Sequence, residues 1–331
     1  MDIPQLRKLK PKLRQFLKRF DDCFPRKDTR AHLPVYISGQ LSDLPEKSVE
    51  PIAINAGMPP RTLQEFLSQH RWDHDKARDR LQDIVRDEHA GPNSIGIFDE
   101  TSDVKKGDKT PGVQRQYCGA VGKRENCVVT VHLGYARDGF HCLLDGELYL
   151  PRGWSEDRDR CREAGIPDDM VYRPKWEIAL ELYDRAVARG LHFDWLTFDE
   201  GYGGKPGLLR ALSGRDQRFV AEVPRNFAGW VKPPRVITRP FRRKGRRARR
   251  TPRLASGSPP ARRVDAMLDQ DGLRNQPWVR WRVKDTQKGP MVWEVKHLRF
   301  APVGEDGLPG DLHAASVTPL PIGTCCATSA G

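Results

Sequence analysis

Two short apolar runs, each closing on an aspartate, decide the fold: residues 94–99 read SIGIFD and residues 193–199 read FDWLTFD. Apolar runs of about four to eight residues are typical of strands buried within a sheet. The first run predicts a strand with Asp99 at its carboxyl end, and the second predicts a strand that presents Asp199. The two aspartates are therefore the first candidates for a shared site.

The segments around these runs predict the rest of an α/β domain. Four more strands are predicted, at residues 115–121, 127–136, 140–150 and 218–223, the first three as an antiparallel meander. Two helices are predicted, at residues 174–190 and 206–212, the first opened by a proline and closed by a glycine. The order, written β-β-β-α-β-α-β, fits a ribonuclease-H-like mixed sheet with flanking helices. In that fold the first and fourth strands are adjacent, so Asp99 and Asp199 would meet at one edge of the sheet.

Residues 1–90 are expected to form a helical, DNA-binding domain. Apolar residues from Leu6 to Phe20 recur every three or four positions, which predicts an amphipathic helix. Residues 49–67 then show a short helix, a Gly/Pro turn and a second helix opening near Arg61, the outline of a helix-turn-helix. An ordinary helical hairpin gives the same outline, so both interpretations stay open.

The remaining chain divides into three further segments. Residues 91–227 are predicted to be the catalytic core, and residues 228–300 an insertion that is rich in β-structure. The insertion contains a strand pair, at residues 278–284 and 291–300, and a basic loop at residues 239–263. Residues 301–331 are expected to be an irregular tail.

The basic loop carries most of the chain's net charge. The formal net charge is +13, and the eleven Lys and Arg of the loop, which has no acid, leave only +2 for the rest. Such a segment favours a polyanion, because each cation set against a phosphate releases condensed counterions. A solvated loop that only aids solubility is an equal alternative on charge alone. The candidate DNA-binding residues of the loop are Arg242, Arg243, Lys244, Arg246, Arg247, Arg249 and Arg250.

Clustered aspartates at strand ends suit phosphodiester chemistry. Cleavage and transesterification need an activated oxygen nucleophile and stabilisation of the leaving oxygen, which two divalent ions can supply. Mg²⁺ prefers one or two carboxylates together with water and substrate phosphate. Asp99 and Asp199 meet that need, although a single aspartate after an apolar run is more often a turn or cap residue.

A family resemblance gives the pair its context. The motifs are IFDETS at residues 97–102, KKG at 105–107, GVQRQYCG at 112–119, LYLP at 148–151, GIP at 165–167 and FDEGYG at 198–203. Over about residues 41–227 the chain resembles the insertion-sequence transposases of the seven-hundred-and-one type, which belong to the DDE superfamily.

The resemblance implies both the site and the reaction. Asp99 would be the first catalytic aspartate and Asp199 the second, both binding Mg²⁺ or Mn²⁺. The implied activity is cleavage at the ends of the element and transfer of the freed 3′ hydroxyl to target DNA, by a homo-oligomer on double-stranded DNA. Lys105, Lys106 and Arg115 would face phosphates, with solvated loop charges as the equal alternative.

The family's third acid, a glutamate on a later helix, has no match in this sequence. Glu294 is a weak candidate, because it lies in a predicted strand. Residues 311–331 contain no Lys or Arg, and Cys325 and Cys326 are adjacent there. We therefore hypothesise a frameshift near Gly310 that replaced the end of a longer transposase and impairs catalysis; a natural short tail is the alternative.

The sequence predicts a cytoplasmic, nucleoid-associated protein. No apolar run is long enough for a membrane span, the start lacks a secretory signal, and the seven scattered cysteines favour reduced thiols. Three functions stay open: a DDE transposase, a catalytically dead DNA-binding remnant that competes with intact transposase, and a ribonuclease-H-like metal nuclease.

Overall fold

The computed structural model describes residues 3–240, 250–269, 271–286, 289–311, 313–317 and 325–329. Contacts divide the chain into two compact units, Met1–Glu88 and His89–Gly331. Every helix within the described ranges is too short or too polar to cross a lipid bilayer. The finer division into four segments stays a prediction.

The first unit is helical. Its helices are α1 (Ile3–Lys18), α2 (Lys27–Gln40), α3 (Val49–Asn55), α4 (Pro60–Ser68) and α5 (His74–Glu88). Apolar side chains from α3 and α4, among them Ile52 and Phe66, pack with Phe24 into one core. Gly57 joins α3 to α4 with a φ of +68°, a conformation that glycine adopts without a steric penalty. α1 lies at the predicted amphipathic helix, and α3, α4 and the turn between them lie at residues 49–67. The choice between a helix-turn-helix and an ordinary helical hairpin, and the DNA-reading role, stay predictions.

The second unit opens with four strands and continues with alternating helices and strands. The first four strands are β1 (Ile95–Val104), β2 (Gln114–Cys118), β3 (Lys123–Arg137) and β4 (Phe140–Leu148). Then come α6 (Arg152–Glu156), α7 (Arg158–Glu163), α8 (Lys175–Ala188), β5 (Trp195–Phe198), α9 (Glu200–Gly203), α10 (Pro206–Ser213) and β6 (Phe219–Val223).

These strands form a mixed sheet in which β1 is central. β1 pairs antiparallel with β3 and parallel with β5, and β5 pairs parallel with β6. β2 and β4 both pair antiparallel with β3. The chain therefore has an α/β fold with a mixed sheet and flanking helices.

Alternating burial along β3 shows which face of the sheet is the core. Val129, Val131 and Leu133 are fully buried, whereas Thr130 and His132 between them are partly exposed. α8 covers β3 and β4 and buries its own Leu182. Fully burying a side chain of this size contributes about 1.5–3 kcal/mol, so this face supplies much of the stability of the unit. The opposite face of β1, β2 and β3 keeps its polar side chains accessible.

Two details of the predicted strands need correction. The first strand does not end at Asp99 but continues to Val104, because β3 keeps pairing with it as far as Val104↔Cys127. Asp199 follows the fifth strand and not the fourth, because the strand predicted at residues 115–121 is present as β2 and adds one strand to the order written above. Neither change separates Asp99 from Asp199.

Most strands of the remaining described chain extend the same sheet. Its elements are β7 (Ala228–Trp230), β8 (Val236–Pro240), β9 (Arg250–Leu254), β10 (Arg262–Arg263), α11 (Asp271–Arg274), β11 (Val279–Thr286), β12 (Gly289–Pro302), β13 (His313–Val317) and β14 (Cys325–Ser329). β8 and β9 instead pair with each other in a separate two-stranded sheet. The predicted strand pair is confirmed, since β11 and β12 pair antiparallel.

Residues 301–331 were expected to form an irregular tail. This prediction is wrong for the described part of that segment, which contains β13 and β14. β13 lies between β12 and β14, and β14 pairs antiparallel with β6. The physical reason is that β6 would otherwise present the unpaired backbone groups of an edge strand. The frameshift hypothesis concerns the origin of this segment, and pairing does not test it.

Candidate active site

Three carboxylates occupy corresponding positions on three adjacent parallel strands. In the register of the sheet Phe98 pairs with Phe198, and Phe198 pairs with Ala221. These three residues are buried, and the residue that follows each of them is exposed. The exposed residues are Asp99, Asp199 and Glu222, which we call the acidic row.

Asp99 lies within β1, opposite His132 on β3. Its Oδ1 accepts a hydrogen bond from the backbone N–H of Glu100, at 2.7 Å. The His132 ring is 2.8 Å from the Thr130 hydroxyl, through Nε2. Burial lowers the pKa of His132, and the charge of Asp99 partly offsets this effect. His132 is therefore a partly buried imidazole with a hydrogen-bond partner.

Asp199 is fixed by the turn that follows β5. It is the N-terminal capping residue of α9, and its Oδ1 accepts a hydrogen bond from the Gly201 N–H at 3.0 Å. Gly203 in the same turn lies directly against β6, where an added Cβ would be 1.9 Å from the Glu222 carbonyl oxygen. The turn after Asp199 is thus clamped onto the strand that carries Glu222, and only glycine fits there.

Tyr202 lies beneath the acidic row. It is 3% exposed, and its ring centroid is 6.2 Å from that of Phe98. Burial raises the pKa of Tyr202, and the charges of Glu100, Asp199 and Asp99 raise it further. Its hydroxyl has no hydrogen-bond partner in the described part of the chain.

No cation among the described residues forms an ion pair with the acidic row. Among the described residues, Asp99, Asp199 and Glu222 form no ion pair, and the one described cation bonded beside them, Lys175, is 2.7 Å from Glu100. Burial raises the pKa of Glu222, followed by the charges of Asp199 and Glu200. Unneutralised carboxylates at one sheet edge are a chemical arrangement that favours a bound cation.

Comparison with known proteins identifies the family. A family model described as DDE superfamily endonuclease matches residues 19–290. This chain belongs to the DDE superfamily endonuclease family. A protein of Microchaete diplosiphon, described as a probable transposase for insertion sequence element IS701, is 34% identical to it over 205 residues. That match covers 59% of this chain and 51% of the relative, so the chain spans about half the length of the curated relative.

The acidic row of this DDE endonuclease offers two aspartates that suit a divalent ion. In the described part of the chain no group of three or more His, Cys, Asp and Glu side chains converges on one metal position. Mg²⁺ needs only one or two carboxylates when water and phosphate complete its shell, so the donor set fits that ion. The unpartnered hydroxyl of Tyr202 beside these carboxylates is a second sign of an incomplete polar site.

The structure places the candidate third acid of this DDE endonuclease away from the other two. Glu294 is exposed on β12, and its carboxylate is 3.4 Å from Arg280 on β11. β13, β14 and β6 all lie between β12 and β5 in the sheet. Glu222, which is next to Asp199 in register, was missed from the sequence. A glutamate within the apolar strand Phe219–Val223 is visible in the sequence, but its place beside Asp199 depends on the pairing of β5 with β6.

The candidate DNA contacts are in different environments. Lys105 forms an ion pair with Asp103, whereas Lys106 and Arg115 are exposed. Arg115 pairs in register with Asn126 on β3, so it shares the accessible face of the sheet with Asp99. The backbone of Arg250 begins β9. The other basic-loop candidates, Arg242, Arg243, Lys244, Arg246, Arg247 and Arg249, lie outside the described residues.

The accessible face also carries two residues that the sequence did not single out. Tyr117 is 58% exposed on β2, and its register partner Arg124 on β3 is exposed as well. Both are two positions along their strands from Arg115 and Asn126, so they continue the same face. An exposed aromatic ring flanked by arginines was recognisable only once the β2–β3 register was known.

Proposed function

We propose that this chain is a DNA transposase that cuts at the ends of an insertion sequence and joins the freed 3′ end to target DNA. The observation that carries the proposal is the pair of aspartates, Asp99 and Asp199, that follow register-paired residues of adjacent parallel strands and have no neutralising partner in the described part of the chain. The description of the Microchaete relative as a probable transposase supports the same activity.

A ribonuclease-H-like fold for the catalytic core is part of this proposal. The sheet order β4-β3-β1-β5-β6 supports it, with β1, β5 and β6 parallel and β3 and β4 antiparallel. In such a sheet the ends of the two central parallel strands bring their following residues together. Asp99 and Asp199 occupy those positions.

The residues of the chain supply positioning and charge for the reaction. Mg²⁺ or Mn²⁺, when bound, would activate the attacking oxygen and neutralise charge on the leaving oxygen. Asp99 and Asp199 would hold the ions, each with one carboxylate oxygen oriented by a backbone N–H. Fixed ligands of this kind keep the reacting phosphate in place without reorganisation during the reaction.

The accessible face of β1, β2 and β3 is the proposed path of double-stranded DNA. Arg115, Arg124 and Lys106 are exposed on this side or in its adjoining loop. Arginine and lysine contacts to phosphates would set the register of the duplex on the protein without reading its sequence. Lys105 contributes less, because Asp103 already neutralises it. The basic loop at residues 239–263 would add phosphate contacts on element ends or target.

The proposal includes a homo-oligomer, because two element ends must be cut and joined in one complex. It places the protein in the cytoplasm, associated with the nucleoid. A second candidate is a catalytically dead DNA-binding remnant that competes with intact transposase. It is favoured by the lack of three converging acids in the described residues.

The test is a strand-transfer assay with an end-labelled duplex that carries the terminal sequence flanking the gene in its source DNA. We expect a joined product with Mg²⁺ or Mn²⁺ that disappears in Asp99→Ala. Binding of the duplex without cutting by either protein would support the remnant. Cutting without joining would support a ribonuclease-H-like metal nuclease.

A further inference from the structure

The hydroxyl of Tyr202 is a buried donor that has no acceptor among the described residues. The side chain is 3% exposed. Buried polar groups in native proteins are nearly always paired, so each exception calls for a ligand or a function. The hydroxyls of Tyr183 and Tyr135, which are also buried, have partners in Gln217 and His89.

The surroundings of this hydroxyl are acidic. Glu100, Asp199 and Asp99 are the charges that act on it, and with burial they raise its pKa. A phenol hydroxyl is protonated at neutral pH, so it is available to donate a hydrogen bond to an oxygen acceptor. The ring of Tyr202 packs on Phe98, the buried residue directly before Asp99.

The backbone around Tyr202 holds the ring in this position. Asp199 caps the turn, and the Tyr202 N–H lies 3.2 Å from the Asp199 carbonyl oxygen. Gly203 is in contact with β6 so closely that no Cβ fits. The backbone that carries the ring is therefore held by the contact between α9 and β6.

We propose that Tyr202 is a positioning residue of the acidic row, which donates its hydroxyl hydrogen to the Asp199 carboxylate when a divalent ion is bound. The proposal rests on the metal site of the proposed function. Glu100 is the less suitable acceptor, because Lys175 already binds its carboxylate at 2.7 Å. On Asp199, Oδ1 is held by Gly201, and Tyr202 would fix the carboxylate by a second hydrogen bond.

The experiment measures Mn²⁺ binding by the full chain with electron paramagnetic resonance of the free ion. The variants are Tyr202→Phe, the matched control Tyr183→Phe, and Asp199→Ala. Removal of an outer hydrogen bond to a metal ligand typically weakens metal affinity about 10-fold or more. We expect that increase in Kd for Tyr202→Phe and a wild-type Kd for Tyr183→Phe.

Thermal unfolding without metal separates positioning from stability. Tyr202→Phe removes no existing hydrogen bond and should keep the wild-type Tm or exceed it, whereas Tyr183→Phe loses its bond to Gln217 and should have a lower Tm. A wild-type Kd for Tyr202→Phe, with binding lost in Asp199→Ala, would overturn the role of Tyr202 alone. Wild-type binding by Asp199→Ala would overturn the proposed metal site itself, and equal losses in both phenylalanine variants would also refute the role of Tyr202.

Discussion

Acidic side chains gather in two places on the sheet unit, and arginines neutralise only one of them. On β4 the buried carboxylate of Asp145 is 3.0 Å from Arg185, and Glu147 is bonded to both Arg185 and Arg173. At the edge formed by β1, β5 and β6, the acidic row of Asp99, Asp199 and Glu222 forms no ion pair with any described residue.

The difference separates structure from function. A buried charge must be paired, because desolvation is costly. The carboxylates of β4 meet this requirement through their ion pairs with Arg185 and Arg173. The acidic row is exposed, so its carboxylates can remain charged without a protein partner. Their oxygens stay available for a cation and, through it, for a phosphate. Four changes test this difference between the two groups of acids, and they follow in decreasing order of expected effect.

Asp99→Asn should abolish DNA cleavage, with a loss of at least about 1,000-fold, or about 4 kcal/mol in the barrier. The amide keeps the shape of the side chain but removes the charge that holds a divalent ion. Because Asp99 has no ion pair in the described part of the chain, the Tm of the variant should stay at the wild-type value. Asp103→Asn, which changes an exposed carboxylate paired with Lys105, is the matched control and should cut normally. Equal activity of both variants would remove Asp99 from the site.

Arg185→Ala should destabilise the sheet unit by about 3 kcal/mol, because it removes the guanidinium that is 3.0 Å from the buried carboxylate of Asp145 and also bonds Glu147. The control Arg215→Ala breaks an exposed pair with Asp184 and should cost less than about 1 kcal/mol. Urea unfolding measures both. Equal losses of unfolding free energy in the two variants would mean that the ion pairs of Arg185 stabilise the protein no more than an exposed pair does.

Mn²⁺ should stabilise the protein through the acidic row alone. At about 100 times its Kd the ion adds about 2.7 kcal/mol, which corresponds to an increase in Tm of about 5 °C or more for a unit of this size. Thermal unfolding with and without Mn²⁺ should show this increase in the wild type and in Glu294→Gln. It should be lost in Asp99→Asn. An increase that persists in Asp99→Asn would place the ion elsewhere.

Glu222→Gln should raise stability slightly at neutral pH, by less than about 1 kcal/mol. Burial and the charges of Asp199 and Glu200 raise the pKa of Glu222 in the folded state, so the folded protein holds its proton more tightly than the unfolded chain. The destabilisation by ionised Glu222 is present above the pKa of this residue in the folded protein. It disappears as the pH falls below the pKa of Glu222 in the unfolded chain. Tm measured from pH 4 to pH 8 should therefore rise for the variant only at the upper end, and a gain at pH 4 would contradict this explanation.

The sequence predicted the two aspartates because residues adjacent to them in the chain indicate their positions. Apolar runs that close on Asp99 and Asp199 identified two buried strands, and the motifs around them indicated the family, which the comparison confirms. The strand pair of the insertion was equally visible from its alternation and its turn. Such features depend on residues that are close in sequence.

What the sequence could not give depends on pairing between distant segments. Glu222 joins the acidic row only because Ala221 pairs with Phe198, and nothing near Glu222 in the sequence specifies that register. β1 extends past Asp99 because of its antiparallel partner β3, and Tyr117 and Arg124 share a face only through the β2–β3 register. The burial of the Tyr202 hydroxyl without a partner among the described residues likewise depends on the packing of α9 against β6.

The most direct test of the central claim is cleavage of a labelled duplex bearing the element's end, by the wild-type chain and by Asp199→Asn, with Mn²⁺ present. The unneutralised aspartates are predicted to make the wild type cut the duplex, and the variant should bind it with the same affinity and leave it intact. Cleavage by Asp199→Asn at the wild-type rate would contradict the account, because the acidic row would then not carry the reaction.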